Sequence, residues 1–587
     1  MDRIKKLKIK KQDGTFSDYI PIGADAENID TTDGESVETK LNKKPYYYNS
    51  VADMKADTKL KVGDMAITLG YYNANDGGNG EYRIVSGNYV DNGGSYHELN
   101  NNLFAELIIK DNVYLKQFGA IKTMQDISVI LQIAINFCKE KYTLIVDDLY
   151  NLTETVTINN PFVIKGKLSN YDDWACCGFK CIGDKSFFIL DEGSINSTFE
   201  RIIFKGGKSY SEGYEGTAII LKSRSTSLAE KRTWKNCFNK CYFSRFGLAV
   251  DFYASGSLAD WDFSSEILFL DCKFINNIVH CHFANKQSYN INFIATDLET
   301  WYGSIGCIYN TLSGVNFYGC SIILRDDFIK VERNDDLNPK AAYSGTINVN
   351  ACRFEILTET ETVFNLKLDG GTYPGVAGDN HFNLNVSDTE FLIHQSGHNA
   401  TLLNSNLQHL QCNMNGITFC GNDQYRMKIK LNGSAGITEY SRIIINTTDE
   451  DRLIIDTPTG GSNYTPWLII NNCIKMSCGE SVRGNNIYEY NDKIYLGYGK
   501  TAQPTTAFEV FVPWDYRKFK IQINGAFLAN SGSITITNSD GSFTETFTKS
   551  TNVLADAYKE IYLPYKADGD TYTITRSNIW GNCYFEK

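Results

Sequence analysis

The stretch FNKCYF (Phe238–Phe243) returns four more times in altered form, as FLDCKF (Phe269–Phe274), VNFYGCSI (Val315–Ile322), VNACRF (Val349–Phe354) and MNGITF (Met414–Phe419). Each copy runs apolar, polar, small or thiol, polar, aromatic. Where Cys-x-Phe occurs, the thiol and the ring are two residues apart, so on a β-strand both side chains face the same way. The residue between them (Tyr242, Lys273 or Arg353) then faces outward.

Two related stretches, FIATDLE (Phe293–Glu299) and NVSDTEF (Asn385–Phe391), extend the series. By subtraction, successive small inward positions are 31, 24, 24, 32, 37 and 28 residues apart; they are Cys241, Cys272, Thr296, Cys320, Cys352, Thr389 and Ile417. Each gap holds one coil of two or three short strands plus a loop. The series therefore predicts a solenoid of stacked strands, a parallel β-helix with loops of different length on its outside.

The composition agrees with an all-β chain and excludes several functions. The 587 residues include 47 Gly, 10 Pro and 13% aromatic residues, which is typical of strands and turns. The net charge is −12 and no basic block follows the first dozen residues, so we expect no nucleic-acid partner. No apolar run is long enough to cross a bilayer, and the start, MDRIKKLKIKKQDG, has no apolar core. We therefore expect no membrane partner and synthesis in a cytosol.

The 16 cysteines are predicted to be free, buried thiols, because disulfides are rare in a cytosol. Cys176, Cys177 and Cys181 lie close together in the sequence and could be mistaken for the ligands of a metal site. This group has no second spaced pair and no nearby His, so we expect neither a metal nor a cofactor.

Four segments follow one another along the chain. Residues 1–44 are mostly polar and should order only against a partner or against copies of themselves. Residues 45–112 form a small head domain, with a helix at Val51–Asp57, strands at Met65–Leu69 and Glu81–Val85, and a turn in which Gly77, Gly78 and Gly80 are expected to need positive φ. Residues 113–478 form the β-helix. Residues 479–587 alternate strongly and contain NG and SDG turns, which predicts an antiparallel, jelly-roll-like β-sandwich.

One amphipathic helix stands at the head of the predicted β-helix. Its apolar residues recur at helical spacing and Asp126 is its expected N-cap; they are Ile127, Ile130, Leu131, Ala134 and Cys138. We expect this helix to cap the open end of the coil. At the other end, the last copy of the repeated pattern that can be recognised ends at Cys420. From Gln424 onward no further rung is recognisable, and the sequence pattern changes near Gly479–Asn491.

Three motifs in the first quarter of the chain resemble known proteins. LGYYNANDGGNGEY fits LGYY-x(3)-DGG-x-G-x-Y and resembles the small domain before the β-helix of phage tailspikes and capsule depolymerases. YLKQFGA followed by D-x(3)-ILQIAI is similar to the opening of their right-handed, pectate-lyase-like parallel β-helix. The usual Gly-Asp-Gly and paired Asp after FGA are replaced by residues 121–125. DGTFSDYIPIGADAENID resembles N-terminal segments of phage appendage proteins from Gram-positive hosts.

The resemblance implies a receptor-binding tailspike or appendage protein of the virion, made in the host cytoplasm. It implies a homotrimer that is attached to phage tail or collar proteins through residues 1–44. Its partner would be a host surface polysaccharide such as capsule, teichoic acid or wall polysaccharide. Three functions stay open: binding this glycan, binding and also cleaving it as a hydrolase or lyase, or serving as a purely structural tail fibre or baseplate component.

The aligned strands place two carboxyl groups on one outer face. Asp297 and Glu299 are two residues apart, about 6.6 Å along the strand, and Glu355 lies two rungs away from Glu299, about 9.6 Å. Glycoside hydrolysis needs a carboxylic acid and a carboxylate about 5–9.5 Å apart, so we predict these three as catalytic residues. Trp301 and Tyr302 follow at once and could stack on a sugar.

Two alternatives weigh against that site. Outward Asp and Glu residues on a solenoid are usually only solvated. A second acidic group is predicted to lie in a loop, where Trp261 would be the carbohydrate-binding residue; its acids are Asp260, Asp262 and Glu266. The seven His show no catalytic or metal spacing, and His280 and His282 are expected to be strand residues.

Overall fold

The structure is a computed structural model. It describes residues 6–7, 20–21, 45–139, 141–167, 177–222, 233–253, 264–284, 288–300, 304–309, 313–332, 345–358, 361–367, 382–405, 407, 410–431, 442–449, 452–456, 467–470, 473–474, 487–490, 493–496, 505–513, 515–523, 532–549, 557–577 and 582–587. The chain forms two compact units, residues 1–150 and residues 151–587. Strands dominate both, and the predicted all-β class with a parallel β-helix is confirmed.

The described residues of the first unit form a five-stranded sheet, two α-helices, one 3-10 helix and several short strands. The sheet strands are Tyr46–Tyr48, Met65–Thr68, Gly80–Val85, Tyr96–Glu98 and Phe104–Leu107. The helices are Val51–Ala56 and Ser128–Cys138, the 3-10 helix is Leu115–Phe118, and further strands are Lys6–Leu7, Ile20–Pro21, Asn112–Tyr114 and Thr143–Val146. The predicted N-cap is one residue off: Ile127 is the N-cap, and Asp126 instead accepts from the Ser128 amide at 3.1 Å.

The LGYY motif builds a loop around one carboxylate. Asp76 accepts from the backbone amides of Tyr71, Tyr72, Asn73 and Gly78 at 2.8–3.0 Å. The expectation of positive φ at three glycines is wrong for two of them, since of the three only Gly77 has it, at +89°. Gly78 is required for space, because a Cβ there would lie 2.5 Å from the Lys116 carbonyl oxygen.

Three parallel sheets form the β-helix of the second unit. Sheet 1 consists of Val163–Gly166, Thr198–Glu200, Cys237–Asn239, Leu268–Leu270, Ser288–Ile294, Ser313–Tyr318, Gly345–Asn350, Phe382–Ser387, Leu410–Gly421, Arg442–Thr447 and Trp467–Ile470. Sheet 2 consists of Gly178–Cys181, Ile203–Gly206, Tyr242–Ser244, Lys273–Ile275, Asp297–Glu299, Ser321–Leu324, Arg353–Ile356, Glu390–Ile393 and the end of Leu410–Gly421.

Sheet 3 consists of Val156–Ile158, Ser186–Leu190, Thr217–Leu221, Leu248–Phe252, Val279–Phe283, Ile305–Tyr309, Ile329–Val331, Thr362–Leu366, Thr401–Ser405, Met427–Leu431 and Leu453–Asp456. Short elements beside the three sheets are Leu149–Leu152, Tyr210–Glu212, Thr233–Trp234, Ser264–Ser265, Gln395–Gly397 and Cys473–Ile474. The connections of most variable length run from sheet 3 back to sheet 1, so the length differences predicted from the sequence are concentrated at one corner of the coil.

The repeated sequence motif spans the corner between sheets 1 and 2, where it joins two separate strands in every copy except MNGITF, which lies within the single strand Leu410–Gly421. At each rung a residue in the left-handed region, with φ between +48° and +65°, turns the chain; these residues are Arg201, Lys240, Asp271, Ala295, Gly319, Ala351, Asp388 and Gly416. The small inward residue comes directly after the turn. All seven predicted small positions are at most 3% exposed, so their inward orientation is confirmed.

The corner explains why six of the seven predicted small positions carry a thiol or a hydroxyl, Ile417 being the exception. Cys272 Sγ donates to the Phe238 carbonyl oxygen at 3.1 Å, and Thr296 Oγ1 donates to the Phe269 carbonyl oxygen at 3.2 Å. Cys320 repeats the contact on Phe293 at 3.3 Å. A small donor at this position therefore satisfies a buried carbonyl of the preceding coil, which would otherwise be costly to bury.

Two side-chain ladders hold successive coils in register. Inside the coil, five phenyl rings of sheet 1 stack at centroid distances of 4.7–5.0 Å; they are Phe199, Phe238, Phe269, Phe293 and Phe317. Outside, five amides of the same sheet donate to one another at 2.8–3.3 Å; they are Asn292, Asn316, Asn348, Asn385 and Asn413. A one-residue slip would break both ladders, so together they fix the register.

The last 101 residues contain two antiparallel sheets. One consists of Ile487–Tyr490, Lys493–Leu496, Asn582–Glu586, Lys518–Ile523 and Ala557–Tyr562; the other consists of Thr505–Val512, Asp570–Ser577, Gly532–Asn538 and Thr544–Lys549. Buried Tyr572 of the second sheet contacts buried Phe585 of the first at 5.9 Å between ring centroids. The two sheets therefore share an apolar interior, as the alternating pattern predicts.

The four corner thiols are expected to resist labelling. Cys241, Cys272, Cys320 and Cys352 are free and 0–3% exposed, and burial raises the pKa of Cys272 well above its usual value. In the native protein a maleimide should react with them far more slowly than with the part-exposed Cys237 and Cys420, as read by mass spectrometry. After denaturation all six should react. Labelling of the four at the rate of Cys420 would contradict the prediction.

Candidate active site on the outer face of sheet 2

The strand register brings the predicted outward residues into two parallel columns. Along one column the partners are Tyr242, Lys273, Asp297, Ser321, Arg353, Glu390 and Thr418. Along the other they are Ser244, Ile275, Glu299, Ile323, Glu355, Leu392 and Cys420. Both columns agree residue for residue with the alignment predicted from the sequence.

Asp297 and Glu299 occupy neighbouring columns on one strand, with Leu298 buried between them. Lys273 on the preceding rung lies 3.8 Å from the Asp297 carboxylate. The pKa of Asp297 is raised, first because the group is partly buried and then because of Asp271, against the opposing effect of Lys273. The like charge that raises it is therefore Asp271 at the corner, whereas the sequence suggested a neighbouring acid on the same face.

A buried histidine holds the end of the Glu299 strand. His280 is fully buried, and burial lowers its pKa to about 4, so the ring is neutral at pH 7. Its Nε2 lies 3.0 Å from the Glu299 carbonyl oxygen, which can only accept, so Nε2 carries the proton. Asn277 Nδ2 can then donate to Nδ1 at 3.3 Å. His280 and His282 both lie on the strand Val279–Phe283, as predicted.

Glu299 and Tyr242 are electrostatically linked. Burial raises the pKa of the Tyr242 hydroxyl, and the negative charge of Glu299 raises it further, while Ser244 and Arg245 act in the opposite direction. Glu299 forms no ion pair with any residue of the described ranges. The face therefore presents a partly buried acid beside an unpaired carboxylate, with a phenol on the same surface.

The third predicted acid belongs to a different pair. Glu355 lies two rungs from Glu299 in the same column, as predicted, but its Oε1 is 2.8 Å from Nε2 of His394. In the second acidic group, Glu266 lies 3.7 Å from Lys235, which favours the solvated alternative for this residue. The predicted sugar-stacking residues Trp301, Tyr302 and Trp261, and the acids Asp260 and Asp262, lie outside the described residues.

An exposed tyrosine on this side of the coil was not among the predicted residues. Tyr318 is 40% exposed and pairs with Ile294, which is 36% exposed, at the edge of sheet 1. The corner at Gly319 joins that edge to Ser321, the residue next to Asp297 in sheet 2. The outward orientation of Tyr318 could have been predicted from VNFYGCSI, because Phe317 faces inward and the next residue on a strand faces the opposite way.

A second carboxyl group with a raised pKa, that of Glu361, accepts hydrogen bonds from the backbone just before it in the chain. Glu361 is fully buried, and burial raises its pKa to about 8, although the backbone amides of Leu357 and Thr358 donate to it. Asp326 adds to the rise. Because the side chain is sealed from solvent and holds neighbouring amides, its role in the described structure is structural.

Stability should therefore fall as pH rises through the range set by Glu361. A folded-state pKa of about 8, above the usual 4.5, means that its contribution is complete below about pH 4.5 and is lost by about pH 8. In the parent this decrease in the free energy of unfolding should be on the order of a few kcal/mol. Glu361→Gln, which stays neutral, should show a smaller decrease. Urea unfolding at pH 5 and pH 8.5 measures it. An unchanged pH dependence in Glu361→Gln would contradict the assignment.

Within the described residues, no helix is long and apolar enough to cross a membrane. Across the same residues, no group of three or more His, Cys, Asp or Glu is placed to hold a metal ion. Of the three cysteines first considered as a metal cluster, Cys177 and Cys181 are buried, and Cys176 lies outside the described residues.

Several solved structures with similarity to this chain are phage tailspike proteins. No family model and no curated protein matches it. Similar solved structures include the Acinetobacter phage vB_ApiP_P1 tailspike protein, with 12% identity over 92% of this chain and 97% of that chain and a TM-score of 0.45. Another is the enzymatically active domain of bacteriophage CBA120 tailspike protein 4, with 12% identity and a TM-score of 0.47. The match covers 99% of this chain and 86% of that chain.

A third is tailspike protein gp49 of Acinetobacter baumannii bacteriophage Fri1, described as a capsular polysaccharide depolymerase. It has 11% identity over 92% of this chain and 98% of that chain, with a TM-score of 0.39. The parallel β-helix of the present chain is established by its own strand register.

Proposed function

We propose that this protein is a phage tailspike or appendage protein of the virion, which binds a host cell-surface glycan for adsorption and cleaves it at Asp297 and Glu299. The observation that carries the proposal is the outer face of sheet 2, where the pKa of Asp297 is raised and the neighbouring carboxylate of Glu299 forms no ion pair within the described ranges. Sugar chains bind well along an extended solenoid face, because successive rungs offer a long row of outward groups. The sequence motifs of the head domain support the virion assignment.

The chemistry follows from the different surroundings of the two acids. Asp297, partly buried, would hold its proton longer and donate it to the leaving glycosidic oxygen. Glu299, without an ion-pair partner in the described structure, would act as the base on a water molecule or attack the sugar carbon. The two residues lie about 6.6 Å apart along the strand, so their carboxyl groups can reach the separations of about 5–9.5 Å that glycoside hydrolases use. Tyr318, together with Trp301 and Tyr302, would supply stacking surfaces.

Incubating the full-length protein with purified capsule or wall polysaccharide of its host tests this proposal. Binding, followed by release of new reducing ends, is expected. Release of unsaturated sugars would identify a lyase. Binding without release would leave an adsorption protein that does not cut, and neither binding nor release would favour the structural tail fibre or baseplate component.

We further propose a host and an attachment site. The likeness of residues 1–44 to appendage proteins of phages infecting Gram-positive hosts supports such a host, with teichoic acid or wall polysaccharide as the glycan. That segment would attach the protein to tail or collar proteins after synthesis in the host cytoplasm.

The full-length chain is predicted to be a homotrimer, joined by residues 1–44 and by the C-terminal sandwiches. The polar first segment cannot bury a core of its own, and the resemblance of the head-domain motifs to phage tailspikes implies threefold symmetry. Light scattering at micromolar concentration should give three times the chain mass of 66.1 kDa. A monomer under these conditions would contradict the prediction.

A further inference from the structure

Three cations lie together on the outer face of sheet 2, on the rungs before the carboxyl pair. Lys180 pairs in register with Lys205, and Lys205 pairs with Ser244. Arg245 follows Ser244 directly. All three cationic side chains are partly exposed, so they lie at the surface and can be reached by a ligand. We call these three residues the cationic cluster.

Other cations nearby are neutralised. Lys165 lies 3.0 Å from Glu200, Arg201 lies 2.6 Å from the same carboxylate, and Lys240 lies 3.5 Å from Asp271. In contrast, no member of the cationic cluster forms an ion pair with a carboxylate in the described part of the chain. The cluster is thus an exception to the pairing around it.

The pKa of Lys205 agrees with the absence of a neighbouring carboxylate in the described residues. The pKa of Lys205 is lowered, first by burial and then by the positive charges of Arg245 and Lys180. Neighbouring rungs are about 4.8 Å apart, so like charges repel at this spacing. The chain as a whole carries a net charge of −12, so the cluster does not simply reflect a basic protein. A bound anion would relieve both the repulsion and the desolvation.

We propose that the cationic cluster binds an acidic group, a carboxylate or a phosphate, of the glycan. This inference rests on the proposed function and names its substrate class as an anionic polysaccharide. An arginine at one end of this row, beside two lysines, suits such groups, since guanidinium forms paired hydrogen bonds to carboxylate or phosphate oxygens.

The cluster is continuous with the candidate active site. Tyr242 experiences both the positive charge of Arg245 and the negative charge of Glu299, so it lies between the two sets. Lys205 and Glu299 are three rungs apart in one column, about 14 Å. A single chain laid along sheet 2 can therefore place an acidic group on the cluster while another part of it meets the carboxyl pair.

Calorimetric titration of the full-length protein tests this with three probes. The probes are oligogalacturonate, which carries carboxylates, oligo(glycerol phosphate), which carries phosphates, and neutral dextran oligosaccharides. At least one acidic probe should bind more tightly than dextran, and its affinity should fall as NaCl is raised from 50 to 500 mM. Lys205→Met and Arg245→Gln should each weaken that binding about tenfold. Lys185→Met, which removes a cation paired with Glu154, is the matched control and should not.

The outcomes separate this inference from the proposed function. Binding of only one acidic probe supports the inference and identifies the acidic group. Acidic probes that bind no better than dextran, or that bind Lys205→Met and Arg245→Gln as tightly as the parent, overturn it. If Asp297→Asn abolishes cleavage of the host glycan while the cluster variants bind normally, only the inference fails. If the parent neither binds nor cleaves host glycan, the proposed function fails as well.

Discussion

Asp297→Asn and Glu299→Gln should each lower the rate of glycan release by about 10²- to 10⁴-fold, the usual contribution of a positioned acid or base. Both substitutions keep the shape of the side chain and both residues face outward, so circular dichroism and the thermal midpoint should hardly change. Binding of the glycan should persist in both variants. The measurement is reducing-end release, with cell adsorption assayed in parallel.

A control on the same face separates catalysis from surface charge. Glu390→Gln removes a carboxylate from the column that contains Asp297, where it lies 3.7 Å from Arg353. We expect nearly parental turnover from this variant. Full cleavage by both Asp297→Asn and Glu299→Gln would place the active site elsewhere.

The pH dependence gives a second test of the roles. Because partial burial raises the pKa of Asp297, this residue keeps its proton to a higher pH than an ordinary Asp. Activity should then fall as the pH rises through that pKa, since the general acid is lost. In Asp297→Asn this alkaline limb should disappear from the residual rate. An identical limb in the variant would assign the acid to another group.

The sequence predicted the coil well where its side chains repeat. An inward thiol or hydroxyl recurs at six of the seven aligned corners, with inward rings nearby, and a strand has a period of two, so the outward columns followed without further information. The coil also continues at Arg442–Thr447 and Trp467–Ile470, beyond the last rung that was clear. There Ile and Leu replace Phe and Cys in the interior, and a run of aliphatic residues does not indicate where the chain turns.

The candidate site could be predicted only in part for the same reason. Alternation places Asp297 and Glu299 on one face, but it does not show which charges come near them from other rungs. Asp271 affects Asp297 because the chain turns at Asp271, at the corner of the preceding rung. Glu355 pairs with His394, which is 39 residues further along the chain. The cationic cluster was missed because Lys180 and Lys205 precede the first clear copy of the motif.

Phe269→Ala should lower the free energy of unfolding by about 3–5 kcal/mol, the range for truncating a buried Phe. The ring is fully buried and stacks between Phe238 at 5.0 Å and Phe293 at 4.7 Å. Its removal leaves a cavity in the middle of the stack. Because each coil contacts only its neighbours, the loss weakens the interfaces on both sides and should let the coil open there first.

Urea unfolding measures the total effect, and hydrogen exchange shows where the coil opens. Tyr318→Ala is the matched control, because it removes an aromatic side chain from the outer side of the same sheet, where Tyr318 is 40% exposed. A change within about 0.5 kcal/mol is expected there. Faster exchange in Phe269→Ala should be confined to the rungs of Phe238, Phe269 and Phe293. Equal losses in the two variants would mean that the ring stack contributes no more than an exposed side chain, and the account of the coil interior would be wrong.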